Sequence, residues 1–385
     1  MSKVSLIKCD TYEQDILHNK IYEAVELIGG FDTLINKDDK VFIKLNCVGP
    51  FDKDKGITTH PEFVRSIIKH VKKYTNNIIV GDNPAVRDQI FTLKKCGIYN
   101  VLIEENVSIL DQSKLITISN ANYKMYSEFE VSEDMVTCNV LINLPKLKTH
   151  SLAYMTVAEK NFFGTIYGLN KSAWHIKANN PLHFGNAMND LYSSILNTLQ
   201  KHNGRIINIC DGILGLEGEG PSTGGFPKKA NIILASLDAV SLDKIACKVT
   251  DLDEEKLFIT NIAGERNLGI SNFENIEIVG EKLENCITPF VAPKDSLSSI
   301  GLRILKFKLF RNLLLEHPII NTNKCIKCGE CVKICPPKTM RMDKSFPHLK
   351  QTNCIRCWCC QEVCPQNAIN KSKRPFIGRI ILKGK

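Results

Sequence analysis

The 385-residue chain has no uncharged apolar run of the roughly eighteen residues a membrane-spanning helix needs, so no span is expected. Its first residues, M-S-K-V-S-L-I-K, hold no long apolar core and no cleavage site. No export signal is expected, and the expected compartment is the cytoplasm. Long runs of like charge are also missing. Lysine and arginine total 50 against 41 acidic residues, a net +9, yet they are scattered, with only short doublets such as Lys72-Lys73. That scatter argues against nucleic acid. A small anionic substrate or an acidic redox partner protein suits the same charge. Neither a Walker loop nor a dinucleotide fingerprint is present.

Cysteine is abundant, with sixteen in the chain. C-I-K-C-G-E-C-V-K-I-C-P begins at Cys325, and C-I-R-C-W-C-C-Q-E-V-C-P begins at Cys354. Both spell C-x2-C-x2-C-x3-C-P, the bacterial ferredoxin pattern for [4Fe–4S] clusters, in which the fourth cysteine of each run serves the other cluster. Two clusters are therefore expected. Cluster A would take Cys325, Cys328, Cys331 and Cys364, and cluster B would take Cys354, Cys357, Cys360 and Cys335. Three thiolates on a tight loop reach three corners of one cube, and the fourth arrives from a short helix facing the other site. Zinc needs only two C-x2-C pairs, and disulfides need an oxidising compartment that nothing here marks. Cys359 falls outside the register and reads as a packed thiol beside a cluster. The other seven cysteines form no close-spaced pattern. Cys47 and Cys210, at strand ends, are the two candidates for a nucleophile.

The residues before this region alternate short apolar runs (41–45, 77–80, 140–144, 206–210, 231–235) with helical patterns (61–74, 86–96, 186–202, 239–249). Buried strands alternating with helices predict an α/β fold, with a mostly parallel sheet and helices on both faces. A small α+β ferredoxin-like domain follows. Segment 114–129 reads as an antiparallel hairpin added to the main sheet. The expected divisions are an α/β domain over 1–295, a basic linker helix over 296–320, the two-cluster domain over 321–370, and a basic tail over 371–385 with one strand-like piece.

In open α/β sheets ligands bind where strands end. The candidate strand-end residues for holding a substrate are Lys44, Asn46, His60, Lys146, Lys148, Lys160 and Asn161. Proton donors would be His150 or His175, oriented by Asp82, Asp211 or Glu217. Lys171 belongs to the same basic segment. The glycine-rich stretch D-G-I-L-G-L-E-G-E-G-P-S-T-G-G (211–225) reads either as a mobile loop or as backbone amides converging on an anion.

K-L-N at 44–46, T-T-H-P-E at 58–62, L-P-K-L-K-T-H at 144–150, K-N-F-F-G at 160–164 and D-G-I at 211–213 resemble domain-of-unknown-function family 362. That family is often fused to a two-cluster ferredoxin. The resemblance implies an iron–sulfur protein, often described as an oxidoreductase, with no common substrate. The first expectation is an oxidoreductase that passes electrons from the clusters to a small anion in the α/β domain. An electron carrier or adaptor without catalysis is a second, and a non-redox enzyme with structural clusters a third. Lysines and histidines converging on an enclosed pocket would favour the first over the second.

Overall fold

The apolar runs become strands that are buried on both faces. In a computed structural model, residues 1–85, 88–168, 174, 181–293, 308–343 and 345–381 are described. The strands of the large domain are β1 (Ser2–Lys8), β2 (Val41–Lys44), β3 (Ile78–Gly81), β4 (Ser108–Ile109), β5 (Leu115–Ser119), β6 (Glu128–Ser132) and β7 (Val140–Asn143). They continue as β8 (Lys146–His150), β9 (Tyr154–Thr156), β10 (Arg205–Gly218), β11 (Gly225–Ser236) and β12 (Ile276–Gly280). The main sheet runs β12-β1-β11-β10-β7-β2-β3-β4, with β8 and β9 attached beside β10. Its β10-β7-β2-β3-β4 half is parallel, whereas β11 is antiparallel to both β10 and β1.

Alternate side chains of each strand enter different cores. Val41 and Ile43, Val140 and Ile142, and Ile207 and Ile209 face a core completed by the helices Gln14–Glu26 and Pro61–Val71. Phe42, Leu141, Cys210 and Leu234 face a second core built on the helices Pro181–Lys201, Ala239–Val249 and Phe258–Glu265. Fully burying an apolar side chain contributes about 1.5–3 kcal/mol, so two covered faces favour apolar residues at every position. Among the described residues no helix is long and apolar enough to cross a membrane.

Four expectations need correcting. The hairpin is β5 with β6, but it forms a separate two-stranded sheet. The polar run Lys146–His150, expected to lie beyond a strand end, is itself strand β8, with all five residues buried. The stretch 211–225 is mostly strand: β10 continues to Gly218 and β11 begins at Gly225, leaving only 219–224 as a turn. Its glycines serve close packing. A Cβ on Gly220 would lie 2.1 Å from the Thr149 carbonyl oxygen, and one on Gly215 would lie 2.6 Å from that of Leu147. Finally, the apolar piece of the tail is a helix, Phe376–Ile381, packed against the helix Lys308–Leu314. Residues 296–307 of the expected linker helix lie outside the described residues; of the rest, Lys308–Leu314 is helical and Pro318–Ile320 is a strand.

The C-terminal region pairs β13 (Pro318–Ile320) with β16 (Ile369–Lys371), and β14 (Met340–Met342) with β15 (Pro347–Leu349). Its sequence repeat is also a backbone repeat. Left-handed φ values recur at Lys327 (58°) and Arg356 (63°), at Gly329 (77°) and Trp358 (61°), and at Lys338 (52°) and Asn367 (47°).

Candidate functional site

A cavity of about 80 Å³ lies between the strand ends of the large domain and the second cysteine motif. Asn46, Asp82, Lys148, His150, Lys160 and Asn161 line it from one side. Ile334, Cys359, Glu362 and Val363 line it from the other. The turn after β10 holds the two sides together. Ser222 Oγ donates to the Glu362 carbonyl at 2.7 Å, and Thr223 Oγ1 to that of Cys364 at 2.9 Å. Lys371 pairs with Glu219 across the same seam.

The lysines fall into two classes. Lys44 Nζ lies 2.9 Å from Asp82 Oδ1, and Lys146 Nζ lies 2.7 Å from Asp211 Oδ2. These are buried ion pairs, each with its charge matched. Lys148 Nζ instead donates to the Asn46 side-chain oxygen and to the Ile57 carbonyl, 2.8 Å away. Lys160 Nζ sits over the rings of Phe163 (4.5 Å) and Phe184 (5.4 Å), with no carboxylate at ion-pair distance among the described residues. Burial pulls Lys148 down to about 7, with Lys146 and Lys160 adding repulsion. Burial pulls Lys160 down to about 8, against the attraction of Glu362. Gly164 lets the K-N-F-F-G segment close over the first ion pair: a Cβ there would lie 2.3 Å from both Asp82 Oδ1 and Lys44 Nζ.

A one-way chain of amides fixes the strand ends. Asn46 Nδ2 donates to Asn161 Oδ1 (2.7 Å), Asn161 Nδ2 to Asn143 Oδ1 (2.7 Å), and Asn143 Nδ2 to Asn208 Oδ1 (2.9 Å). Because the Asn46 amide nitrogen is committed, its oxygen must face Lys148. His150 is fixed in a similar way. Its Nδ1 accepts from Leu152 N (3.0 Å) and Ala153 N (3.2 Å), so the ring proton belongs on Nε2. Nε2 points toward Glu362 Oε1, 3.8 Å away.

The other expected site residues lie elsewhere. Lys44 supports the wall through Asp82, which also accepts from Cys47 N at 2.7 Å. Lys146, Asp211 and His60 gather with Tyr12 outside the cavity: Tyr12 OH donates to Asp211 Oδ1 (2.8 Å) and its ring stacks on His60 at 3.6 Å. Burial pushes His60 down to about 4. Glu217 is also outside, accepting from Val291 N at 2.9 Å. His175 and Lys171 lie outside the described residues. Cys210 is fully buried, and burial pushes its thiol well up. The Cys47 thiol is also raised, through its bond to Cys96 and then through burial. Neither suits a nucleophile. Glu362, Asn83 and Thr156 also line the cavity and were not singled out from sequence. Glu362 sits inside a cysteine motif, which masks any other role it has.

Cys325, Cys328, Cys331 and Cys364 line one hollow. Cys360 lies close enough to Cys357, Cys354, Cys331 and Cys335 for their charges to raise its thiol, after the larger effect of burial; Cys331 itself lines the first hollow. The structure thus brings together the same two crossed sets. The left-handed residues between the cysteines recur at the same places in both motifs, and a chain that alternates right- and left-handed residues can turn its N–H groups toward an anion such as an iron–sulfur cluster. Those residues and thiols fit such a group.

Residues 317–365 match the 4Fe-4S dicluster domain. The chain is 26% identical over 301 residues to a thylakoid-associated protein of Synechocystis sp., covering 75% of this chain and 90% of that one. Two solved structures are similar: the lactate racemase apoprotein from Thermoanaerobacterium thermosaccharolyticum and a protein from Thermotoga maritima. The first has a TM-score of 0.41 and 16% identity, covering 66% of this chain and 57% of that one. The second has a TM-score of 0.41 and 10% identity, covering 64% and 60%. The present chain thus spans less than two thirds of either. Residues 41–248, more than half of the chain, match the family described as Domain of unknown function (DUF362), so the chain belongs to that family and carries a 4Fe-4S domain at its C-terminal side.

Proposed function

We propose that the chain is an iron–sulfur oxidoreductase, with two [4Fe–4S] clusters on the crossed cysteine sets, that passes electrons to a small anion bound in the shared cavity. One observation carries this reading: the cavity has Lys148 and Lys160 on one wall and the Cys359–Val363 segment of the second cysteine motif on the other. An anion between those lysines would lie within a few residues of Cys357 and Cys360. When bound, the clusters would supply electrons one at a time.

The chain's own residues would do the rest. Lys148 and Lys160 bind the anion, because neither spends its charge on a carboxylate. His150 directs its Nε2–H into the cavity as a hydrogen-bond donor to an oxygen that gains charge. Asn46 and Asn161 hold Lys148 in place. Ile334 and Val363, packed with Ala85 of the large domain, exclude water from the seam. Convergence of these groups on a partly open cleft favours an enzyme over a carrier with a convex docking face. A reducing, cytoplasmic setting and a separate electron-donor protein belong to the same proposal.

The test is anaerobic purification, with about eight iron and eight sulfide expected per chain. Pre-reduced protein is then screened with small carboxylates and phosphates for ligand-dependent reoxidation. Zinc alone in the purified protein, or no acceleration by any anion, counts against the reading.

A further inference from the structure

Lys160 faces two spaces. Besides the shared cavity, it lines a second hollow of about 10 Å³ together with Asp243 and Thr260, space for about one water. Asp243, which lines that hollow, belongs to a buried carboxyl pair with Glu159. Glu159 is 3% exposed and Asp243 is 5% exposed. Asp243 accepts from Ala158 N (2.6 Å) and Glu159 N (3.1 Å), which pins the start of the short helix Ala158–Asn161. Both carboxyl oxygens of Glu159 are buried, with the Thr260 hydroxyl nearby but outside good hydrogen-bond geometry. Burying an unpartnered carboxylate costs several kcal/mol, so a group in that position keeps its proton.

We propose that Lys160, where it starts as the neutral amine, takes up one proton when the adjacent iron–sulfur site is reduced, and that this proton comes from the Glu159–Asp243 pair through the second hollow. The proposal rests on the reading that the cavity is a redox site. One electron would enter the Cys354, Cys357, Cys360 and Cys335 site from a one-electron donor such as a reduced deazaflavin. One O–H bond of the carboxyl pair breaks, one N–H bond forms on the Lys160 amine, and a proton from bulk solvent, relayed by water, restores the carboxyl O–H. Added negative charge beside Cys359 favours the ammonium form, which supplies the direction.

The protonation equilibria suit such a transfer. Burial raises Asp243 to about 8, and Lys160 stands at about 8, so the step is close to balanced. Burial first, then Asp243, pushes Glu159 well up. Other charged or titratable groups face these three. Lys44, Asp82, Lys148, His150, Cys359 and Glu362 stand around Lys160, and Asp238 and Tyr192 stand beside the carboxyl pair.

The experiment needs no substrate. Midpoint potentials of anaerobic holoprotein are measured from pH 6 to 10. In the parent, one cluster signal should be flat below about pH 8 and fall above it, by up to about 59 mV for each tenfold drop in proton concentration. Lys160→Met should lose the fall that sets in above about pH 8, leaving at most the shallower contribution of Lys148. Proton uptake is then followed with an indicator dye after photoreduction by a deazaflavin. Glu159→Gln and, as a second variant, Asp243→Asn should slow it at least tenfold at unchanged iron content. A flat parent profile, a fall that survives Lys160→Met at full slope, or parent-rate uptake in both carboxyl variants would overturn the proposal. None of those results bears on whether an anion binds between Lys148 and Lys160, so the two readings fail separately.

Discussion

Lys44 and Lys146 each end on an aspartate, whereas Lys148 ends on an amide and a carbonyl, and Lys160 on two aromatic faces. The same residue type therefore does two jobs. Removing Lys148 or Lys160 deletes a charge-assisted contact worth about 1.5–3 kcal/mol, so alanine there should weaken anion binding about ten- to a hundredfold with little change in stability. Lys44→Met leaves Asp82 buried without its partner and should cost about 3–5 kcal/mol of stability. Thermal unfolding beside a binding titration separates the two classes; equal loss of stability at Lys44 and Lys148 would remove the distinction. The pH dependence follows from direction. Burial holds Lys148 down to about 7 and Lys160 down to about 8, so raising the pH through these values discharges the free site. Affinity for an anion of fixed charge should be level below about pH 7 and fall above it, more steeply once both lysines titrate. Affinity that rises between pH 7 and 9 would contradict that assignment.

At the scale of elements, the cysteine motifs were legible from spacing alone because each ligand position is set by local chain geometry. Strands β2, β3 and β7 were legible because burial on both faces leaves unbroken apolar runs. Strand β8 was not, since its lysines and His150 look like the polar end of a strand until Asp211, Asn46 and Ile57 supply partners distant in sequence. The glycines of 211–225 misled for a related reason: glycine marks close approach as well as freedom, and only the neighbouring strand tells which. Gly220→Ala should thus act through the Thr149 carbonyl rather than through anion binding. It should lower stability by about 1–3 kcal/mol while affinity, measured below the new melting point, stays within twofold. At the cysteines, Cys364→Ser should damage the cluster otherwise held by Cys325, Cys328 and Cys331, with the change read from paramagnetic resonance of the reduced protein. Loss confined to the other cluster would mean the two motifs are independent.

Over the whole molecule, the cavity exists only because two domains meet, so the seam should matter more to turnover than to folding. Ser222 and Thr223 donate to carbonyls of Glu362 and Cys364, Glu219 pairs with Lys371, and Ile334, Cys359 and Val363 close against Ala85. Each neutral hydrogen bond contributes about 0.5–1.5 kcal/mol net, so losing both hydroxyls costs about 1–3 kcal/mol of docking. On the proposed assignment cluster ligation comes from the C-terminal motifs, and the sheet folds around its own two cores. The double variant Ser222→Ala, Thr223→Val should therefore keep the parent's iron content and its direct reduction by dithionite. Ligand-dependent reoxidation, which needs the second cysteine motif held against Lys148 and Lys160, should fall about tenfold or more. A variant that loses iron would show that the turn supports cluster ligation itself. One that turns over like the parent would show that the apolar closure holds the seam without these hydroxyls.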